Sequence, residues 1–438
     1  MIATLLIALS PLYTLGAPYE ATWESLDTRP NPTWFTDAKF GIFIHWGVYA
    51  VPAWGPKDRY AEWYWHDLIK GDGQTKAFHD KTYGEDVKYQ DFAGQFSAEL
   101  FEPDQWADVF KRSGAKYVVL TSKHHEGFCL WPNPQSWNWN SVDIGPHRDL
   151  AGDLTTAVRG AGLKMGFYYS MYEWFNPLYN SDVNRYVDEY MLPQMKDLVE
   201  RYQPDLIWPD GEWSHPSDTW RSTEFLAWLF NDSKAPKDIA INDRWGKECR
   251  NVHGGFATPE YGNIPEGKLI QRGDFEECQG MGHSFGYNRN ETAEDYRSTD
   301  KLLHLLIGNV SRGGNLLLDI GPTADGRIPV VMEQRLLEMG EWLAVNGDAI
   351  YGTRKPDVAP EMEDVKFTQK GDTLYAISQK WPGETLAIPL EKQVSTVTML
   401  GHKAPLQFTQ ADGTLTITIP QLTIDQLPCQ HAWSFRLE

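Results

Sequence analysis

The segment YVVLTSKHH, residues 117–125, is a short apolar run that ends in polar side chains. Helix-like segments such as residues 183–202 separate it from further runs of the same kind. Short buried strands that alternate with helices predict parallel βα units. From about Phe40 to Tyr351 the sequence therefore predicts an α/β fold, a (β/α)8-like barrel. The other candidate strands are GIFIHWG (41–47), KMGFYYS (164–170), DLIWPDG (205–211), DIAINDRW (238–245) and NLLLDIGP (315–322).

A different pattern follows Tyr351, where short strands alternate with glycine and proline, as in residues 366–379 and 415–420. This pattern is typical of an antiparallel β-sandwich. A chain of 438 residues also exceeds the size at which a single core usually stops growing. The segment GTRKP breaks the preceding helix. We therefore predict a barrel domain over residues 18–353 and a C-terminal β-sandwich over residues 354–438.

The first 17 residues, MIATLLIALSPLYTLGA, contain an apolar run and end in small residues. This pattern predicts a signal peptide, although a basic n-region is missing, and a buried strand is the alternative. A signal peptide would send the chain to a secreted, periplasmic or lysosome-like compartment. No later stretch reaches the roughly 18 to 20 apolar residues of a membrane helix. We therefore expect no membrane insertion.

The composition limits the class of partner. The chain has 60 acidic and 40 basic side chains, a formal charge of −20 that repels nucleic acid phosphates. Its 19 Trp and 20 Tyr residues suit the apolar faces of sugar rings, although large aromatic cores explain them equally well.

The four cysteines include no CxxC pair, which argues against a zinc or redox motif and leaves one disulfide open. A homo-oligomer also stays open.

Polar and aromatic side chains follow the candidate strands. In a (β/α)8 barrel the chemistry lies at the carboxyl ends of the strands, so these side chains are predicted to share one site. The adjacent pair His124 and His125 does not predict a metal site. Neighbouring strand residues point to opposite faces, and a third ligand at recognisable spacing is missing. We therefore expect no metal and no cofactor. The side chains that follow the candidate strands, and that are predicted to share the site, are His45, Trp46, Lys123, His124, His125, Tyr168, Tyr169, Trp208, Asp210, Asn242, Asp243 and Arg244.

Asp210 is the sharpest catalytic candidate. It follows a mostly apolar run and precedes Gly211, which lets the backbone turn and other groups approach closely. The alternative is a turn or helix N-cap aspartate. Hydrolysis of a glycosidic bond needs a second carboxyl group that is protonated while the first is ionised. Spacing alone does not choose among the candidates Glu212, Glu260, Glu276 and Glu277.

A linked series of stretches covers about residues 30 to 353, nearly the whole barrel. They are KFGIFIHWGVYAVPAW (39–54), YAEWYW (60–65), YVVLTSKHHEGFCLWP (117–132), PDLIWPDGEW (204–213), INDRWG (241–246), SFGYNRNE (284–291) and NVSRGGNLLLDIGPTADGRIP (309–329). In these stretches, and in this order, the sequence resembles the α-L-fucosidases of glycoside hydrolase family 29. The resemblance implies a catalytic barrel followed by a β-sandwich.

The resemblance also implies roles for individual residues. Asp210 corresponds to the family's nucleophile, in the stretch IWPDGEW. Glu260 corresponds to the acid/base of bacterial members, because Thr258-Pro259-Glu260-Tyr261 matches their T-x-E-Y setting. Glu276 is the second choice, since many relatives have a Trp-Glu pair where this chain has Phe275-Glu276. The implied sugar contacts are His45, Trp63, His124, His125, Tyr169, Trp208, Arg244 and Phe285, with Tyr168 as the near alternative to Tyr169.

The activity implied by the resemblance is removal of terminal α-linked L-fucose from oligosaccharides or glycoproteins by double displacement. In such a mechanism the two carboxyl groups lie roughly 5–5.5 Å apart and the acid has a raised pKa. Two alternatives stay open. One is a barrel glycosidase for a related sugar such as galactose. The other is an inactive fucose-binding protein.

Overall fold

A computed structural model describes residues 18–71, 73–262 and 273–438. The predicted signal peptide, residues 1–17, lies outside the described residues. Within them no helix is both long enough and apolar enough to cross a bilayer.

Seven parallel strands form one sheet, in the order β5-β4-β3-β2-β1-β7-β6. The predicted barrel fold is confirmed, and each of the six predicted strands is present. Most of their side chains are buried on both faces, as expected for parallel strands covered by helices. The strands are β1 (Phe40–Ile44), β2 (Tyr117–Lys123), β3 (Lys164–Ser170), β4 (Leu206–Asp210), β5 (Ala240–Ile241), β6 (Glu276–Gly280) and β7 (Asn315–Ile320).

An irregular segment, residues 256–260, lies between the two outer strands of this sheet. Phe256 forms a parallel bridge with Asn242, directly after β5, and Glu260 forms one with Cys278 of β6. The segment therefore takes the place of an eighth strand. It also carries Glu260 to the end of the barrel where β4 delivers Asp210.

Helices cover the outside of the sheet. In α5, Trp106, Val109 and Phe110 recur at helical spacing and are buried, and Pro103 occupies the first turn, where it needs no hydrogen-bond partner. The predicted helix over 183–202 consists of α8, a π-helical turn over Val187–Met191 and α9. The helices are α1 (Trp23–Leu26), α2 (Thr33–Ala38), α3 (Tyr64–Lys70), α4 (Gln74–Thr82), α5 (Pro103–Arg112), α6 (Leu150–Gly160), α7 (Leu178–Ser181), α8 (Val183–Tyr186), α9 (Leu192–Tyr202), α10 (Ser217–Trp220), α11 (Ser222–Asn231), α12 (Thr299–Ser311) and α13 (Val330–Asn346).

Two antiparallel sheets follow the barrel, in the orders β10-β13-β12 and β11-β14-β9-β8. They share a core that includes Ile388, Leu415 and Phe435, which confirms the predicted antiparallel fold. The indole of Trp342 in α13 donates to the carbonyl of Ala432 at 2.8 Å and so ties this region to the barrel. The strands are β8 (Val365–Lys370), β9 (Thr373–Ser378), β10 (Thr385–Pro389), β11 (Val397–Met399), β12 (Phe408–Ala411), β13 (Thr414–Thr418) and β14 (Trp433–Leu437).

Candidate active site

A small cavity of about 90 Å³ lies at the carboxyl ends of the parallel strands. Of the catalytic residues and sugar contacts that the resemblance implies, all line it except Tyr169 and the second-choice acid Glu276. Four other residues that follow the candidate strands and were predicted to share the site do not line it: Trp46, Lys123, Asn242 and Asp243. The position agrees with the general location of sites in barrels of this kind. The predicted residues that line the cavity are His45, Trp63, His124, His125, Trp208, Asp210, Arg244, Glu260 and Phe285.

Asp210 is the last residue of β4, and its carboxylate accepts two hydrogen bonds. Arg244 donates to Oδ1 at 2.6 Å and the Tyr168 hydroxyl donates to Oδ2 at 2.9 Å. Burial alone would raise the pKa of Asp210, but Arg244, His125 and Arg250 together outweigh it and hold that pKa below its usual range. Gly211 adopts φ +78°, and a Cβ there would lie 2.6 Å from the backbone nitrogen of Tyr172. The turn after Asp210 therefore requires glycine.

Arg244 connects the two candidate catalytic carboxylates. Its Nη1 donates to Asp210 and its Nη2 to Glu260. Thr258 holds the guanidinium in place by accepting from Nε at 2.8 Å, and the indole of Trp208 lies 4.3 Å below the charged carbon. The side chain of Glu260 is 31% exposed, so it lies at the rim of the cavity.

Three histidines occupy one wall of the cavity. Burial, above all, lowers the pKa of both His45 and His125 well below the usual range, so both rings are neutral. His125 Nδ1 contacts the Ser170 hydroxyl at 2.6 Å, and that hydroxyl donates to the carbonyl of Tyr172. Because the hydroxyl proton is already used, Nδ1 of His125 donates and Nε2 is left as an acceptor.

His124 and His125 both line the cavity, although neighbouring strand residues usually point to opposite faces. The register of β2 shifts between Thr121 and Lys123, and the strand ends at Lys123. The chain then turns, with Gly127 donating to the carbonyl of His124. This bulge re-aims the two rings toward the same space. Within the described residues no group of three or more His, Cys, Asp or Glu side chains is placed to hold a metal ion.

The structure corrects the choice between the two adjacent tyrosines of β3. Tyr168 lines the cavity, whereas the Tyr169 side chain lies on the opposite face of the strand and donates to Oε1 of Gln194 at 2.7 Å. Burial and the nearby Asp210 raise the pKa of Tyr168 well above its usual range, so its hydroxyl keeps the proton that it donates. Tyr168 therefore replaces Tyr169 as the candidate sugar contact.

The other candidate acids lie outside the cavity. Glu276, the first residue of β6, is sealed beneath Trp208, whose indole donates to Oε1 at 2.9 Å, and burial raises its pKa to about 7. Glu212 turns away toward Arg250. Glu277 is buried 3.7 Å from Arg312. The structure therefore brings only Glu260 among these glutamates to the cavity that contains Asp210.

Profile comparisons place the chain in a family. The profile described as α-L-fucosidase matches residues 10–348, and the profile described as α-L-fucosidase C-terminal domain matches residues 360–438. The chain belongs to the α-L-fucosidase family. The resemblance to glycoside hydrolase family 29 is therefore confirmed, as is the prediction of a glycoside hydrolase of the α-L-fucosidase type.

Relatives of full length support this family. The α-L-fucosidase of Branchiostoma floridae is 45% identical, and the alignment covers 99% of both chains. The tissue α-L-fucosidase of Homo sapiens is 44% identical over 96% of this chain and 91% of the relative. The crystal structure of Thermotoga maritima α-fucosidase in complex with fucose matches with a TM-score of 0.83 and 39% identity, over 96% of this chain and 100% of that chain.

Five of the residues that line the cavity of this α-L-fucosidase family member were not predicted from the sequence. Phe43 could have been found, because it lies two residues before His45 and so faces the same side of β1. Glu62 is buried, accepts from the backbone of Gly286 at 2.8 Å, and has a pKa raised by that burial. The sequence carried no comparable signal for the rest. The five residues are Phe43, Tyr60, Glu62, Trp213 and Cys278.

The two tyrosines of β3 provide a matched pair of variants. Tyr168→Phe removes the hydroxyl that donates to the Asp210 carboxylate, and a hydrogen bond to a charged group contributes roughly 1.5–3 kcal/mol. We expect kcat/KM on an aryl α-L-fucoside to fall about tenfold or more. Tyr169→Phe removes only the contact with Gln194, so its kcat/KM should change by a few-fold at most. A larger loss in Tyr169→Phe than in Tyr168→Phe would contradict this assignment.

Proposed function

We propose that the chain is a retaining exo-α-L-fucosidase that removes terminal α-linked L-fucose with Asp210 as nucleophile and Glu260 as acid/base. The observation that carries this proposal is the placement of both carboxylates on one small cavity, joined by a single guanidinium. The presence of both groups favours catalysis over the inactive fucose-binding alternative.

The contacts of Arg244 hold the two candidate carboxylates near each other, which agrees with a retaining mechanism. One planar guanidinium contacts both carboxylates, through Nη1 to Asp210 and through Nη2 to Glu260. Retaining glycosidases place the two groups roughly 5–5.5 Å apart, whereas inverting enzymes need about 6.5–9.5 Å to admit a water molecule between them. The compact arrangement suits direct attack by Asp210 on the anomeric carbon.

The two carboxyl groups divide the chemistry between them. Asp210, kept ionised by Arg244, attacks the anomeric carbon and forms a covalent fucosyl-enzyme, while protonated Glu260 gives its proton to the departing oxygen. Glu260 then takes a proton from the water that releases fucose. An ion-paired carboxylate has no proton to give, so the contact between Arg244 and Glu260 must open when the sugar binds. The hydrogen bond from Arg244 to Asp210 remains.

The lining of the cavity supports recognition of fucose. The histidines and Arg244 supply hydrogen-bonding groups for sugar hydroxyls, and Phe43, Trp208 and Phe285 supply an apolar wall for the C5 methyl group. A galactoside would place a hydroxymethyl group against that wall and lose hydrogen bonds with water. The small size of the cavity supports binding of one terminal sugar rather than a longer stretch of glycan.

A second cavity of about 400 Å³ adjoins the first and shares Tyr60 and Trp63 with it. Its remaining lining is polar and includes Asp58, Asp67 and His283. We propose that the departing part of a fucosylated glycan lies here, since Glu260 at the rim is placed to protonate an oxygen on this side. Polar side chains at this position suit the hydroxyl groups of a sugar leaving group.

The stereochemistry of the released sugar tests the proposed mechanism. Hydrolysis of 4-nitrophenyl α-L-fucoside, followed by proton NMR, should show the α-anomer of fucose before mutarotation mixes the two forms. Double displacement inverts the anomeric carbon twice, which is the reason for this expectation. Turnover of the matching α-L-galactoside, which differs only by a hydroxyl group on C6, should be far slower. First appearance of the β-anomer would exclude Asp210 as a nucleophile.

The bounds of the two domains and the export of the chain are also proposals. We infer a barrel domain over residues 18–353 and a C-terminal domain over residues 354–438, supported by family profiles that end at 348 and begin again at 360. We also infer export of the chain, supported by the apolar run within residues 1–17.

A further inference from the structure

The buried carboxyl group of Asp319 contacts His45 at Nδ1, the ring nitrogen opposite the one that is left for a ligand. β1 and β7 are neighbours, with Phe43 opposite Asp319 in the parallel register, so Asp319 faces the barrel interior diagonally beside His45. The distance between His45 Nδ1 and Asp319 Oδ1 is 2.6 Å. Both side chains are almost inaccessible to solvent, at 5% and 1% exposure. One proton therefore lies between these two atoms.

The opposite ring nitrogen of His45 is free to meet a ligand. His45 lines the cavity, and its Nε2 has no hydrogen-bond partner within the part of the chain that the structure describes. The ring of Phe285 stacks on the imidazole at 4.9 Å, and Phe43 contacts it edge-on at 4.7 Å. These contacts fix the plane of the ring. The direction of its hydrogen bond to a ligand depends on which nitrogen carries the proton.

The surroundings of Asp319 contain acids and neutral groups. Its second oxygen, Oδ2, is buried without a hydrogen-bond partner among the described residues. Glu62 faces it from the short helical turn directly before α3, and Tyr49 and Tyr261 are the other titratable neighbours besides His45. No arginine or lysine pairs with Asp319 within the described residues. An ionised carboxylate here would leave Oδ2 without a hydrogen bond and would lie beside another acid, and both conditions disfavour the charged form.

We propose that Asp319 is a positioning residue that keeps its carboxyl proton and donates it to Nδ1 of His45, so that Nε2–H of His45 donates to a hydroxyl of the bound sugar. This inference rests on the proposed function, because it assigns a direction to one contact of the fucose site. In the opposite arrangement an ionised Asp319 would accept from Nδ1, and Nε2 could only accept from the sugar.

The charge balance around the pair supports the neutral form. Burial first, and then Glu62, raise the pKa of Asp319 well above its usual range, although the backbone N–H of His45 acts in the opposite direction. Burial first, and then His124, lower the pKa of His45, although Asp210 acts in the opposite direction. A neutral carboxylic acid beside a neutral imidazole agrees with both shifts. His124, Asp210 and Arg244 face His45 from the cavity side, so the ring serves both the Asp319 pair and the sugar.

The proposal predicts a pH dependence with a definite sign. A carboxyl group with a raised pKa stays protonated at low and neutral pH and loses its proton only as the pH rises. When Asp319 ionises, the remaining ring proton moves to Nδ1 and Nε2 changes from donor to acceptor. The hydrogen bond to the sugar is then lost. The KM for an aryl fucoside should therefore rise on the alkaline side in the wild-type enzyme.

Two substitutions of Asp319 test this assignment. Asp319→Leu removes the donor to Nδ1, frees the tautomer of His45, and should raise KM about tenfold or more, the size of one hydrogen bond to a buried partner. Asp319→Asn keeps an N–H donor of similar shape and should recover most of that loss. Because an amide has no proton to lose, the alkaline rise in KM should be absent in Asp319→Asn. The readout is KM and kcat against pH for all three proteins.

The nitrogen shifts of the His45 ring give an independent measurement on the unmodified enzyme. With ¹⁵N-labelled histidine, and with His45→Gln to assign the signal, we expect Nε2 to be protonated and Nδ1 to be unprotonated at neutral pH. A protonated Nδ1, or the same alkaline rise in KM in Asp319→Asn as in the wild type, would overturn the proposal. Failure of the proposed function gives a different result, since the wild-type enzyme would then not hydrolyse fucosides.

Discussion

Asp210→Gly is expected to lower kcat on aryl α-L-fucosides by roughly 10³-fold or more, because the variant cannot form the covalent intermediate. The loss should be in kcat more than in KM, since the residues that line the rest of the cavity remain. Arg244 keeps Glu260 and Thr258 as partners, so it is not left as an unpaired buried charge. We therefore expect a folded protein, with circular dichroism like that of the wild type.

Azide should partly restore turnover in this variant. Removal of the Asp210 side chain empties a space directly beside the anomeric carbon, on the face from which the carboxylate attacks. A small anion can enter there, with Arg244 and its positive charge alongside. Attack from that face inverts the anomeric carbon once, so the product should be β-fucosyl azide. Glu260 is still present to protonate the leaving group.

A matched control lies two residues further along the chain. Glu212 is buried like Asp210, but its side chain pairs with Arg250 and does not line the cavity. Glu212→Gln should therefore retain kcat within about tenfold of the wild type, with no response to azide. Equal losses in the two variants would indicate a general disturbance of the turn after β4. Wild-type rates in Asp210→Gly would remove this residue from the mechanism.

Much of the barrel was predictable because its strands carry a clear signal. β1 and β2 contain apolar runs with polar side chains at their carboxyl ends, and a parallel sheet collects those ends on one side. The five adjacent strands β1 to β5 thus carry most of the residues that line the cavity, at or directly after their carboxyl ends. The prediction did not require knowledge of which strands are neighbours, only that all run in the same direction.

Two parts of the barrel that the sequence did not predict, β6 and residues 256–260, carry a weaker sequence pattern. β6 has the sequence EECQG, in which Cys278 is the only side chain of hydrophobic type, so no apolar run marked it as a strand. The segment 256–260 fills the remaining gap through isolated bridges rather than a continuous ladder. Its position is set by the pairing of Phe256 with the end of β5, a contact that local sequence does not encode.

Tertiary contacts decided the details of the site. Tyr168 and Tyr169 are chemically identical, and only the register of β3 against β4, with Tyr168 opposite Trp208, selects the one that faces the cavity. The pair of His45 and Asp319 joins residues far apart in sequence through the register of β1 and β7. Sequence periodicity gives the face of a strand once its phase is known. It does not give the neighbour across the sheet.

Glu260→Ala is expected to show a loss that depends on the leaving group. An acid catalyst matters in proportion to how much the leaving group needs a proton, so a natural fucoside should lose roughly 10²–10⁴-fold in kcat/KM. Fucosylation of Asp210 by a dinitrophenyl fucoside, whose leaving group departs without help, should slow far less. The structural reason is placement, since Glu260 lies at the rim, where the leaving group departs, while Glu276 is sealed below Trp208.

The second half of the reaction should slow as well, because the same residue deprotonates the attacking water. A burst of dinitrophenol should therefore precede the steady state, and azide should raise turnover by attacking the fucosyl-enzyme to give α-fucosyl azide. The azide anomer is opposite to that expected from Asp210→Gly, so the two variants check each other. Glu276→Gln is the control. It disturbs the floor under Trp208 and should raise KM, but its rates should depend on the leaving group as those of the wild type do. If Glu276→Gln shows the burst and the α-azide while Glu260→Ala does not, the proton donor acts from beneath the cavity, and the site must rearrange to admit it.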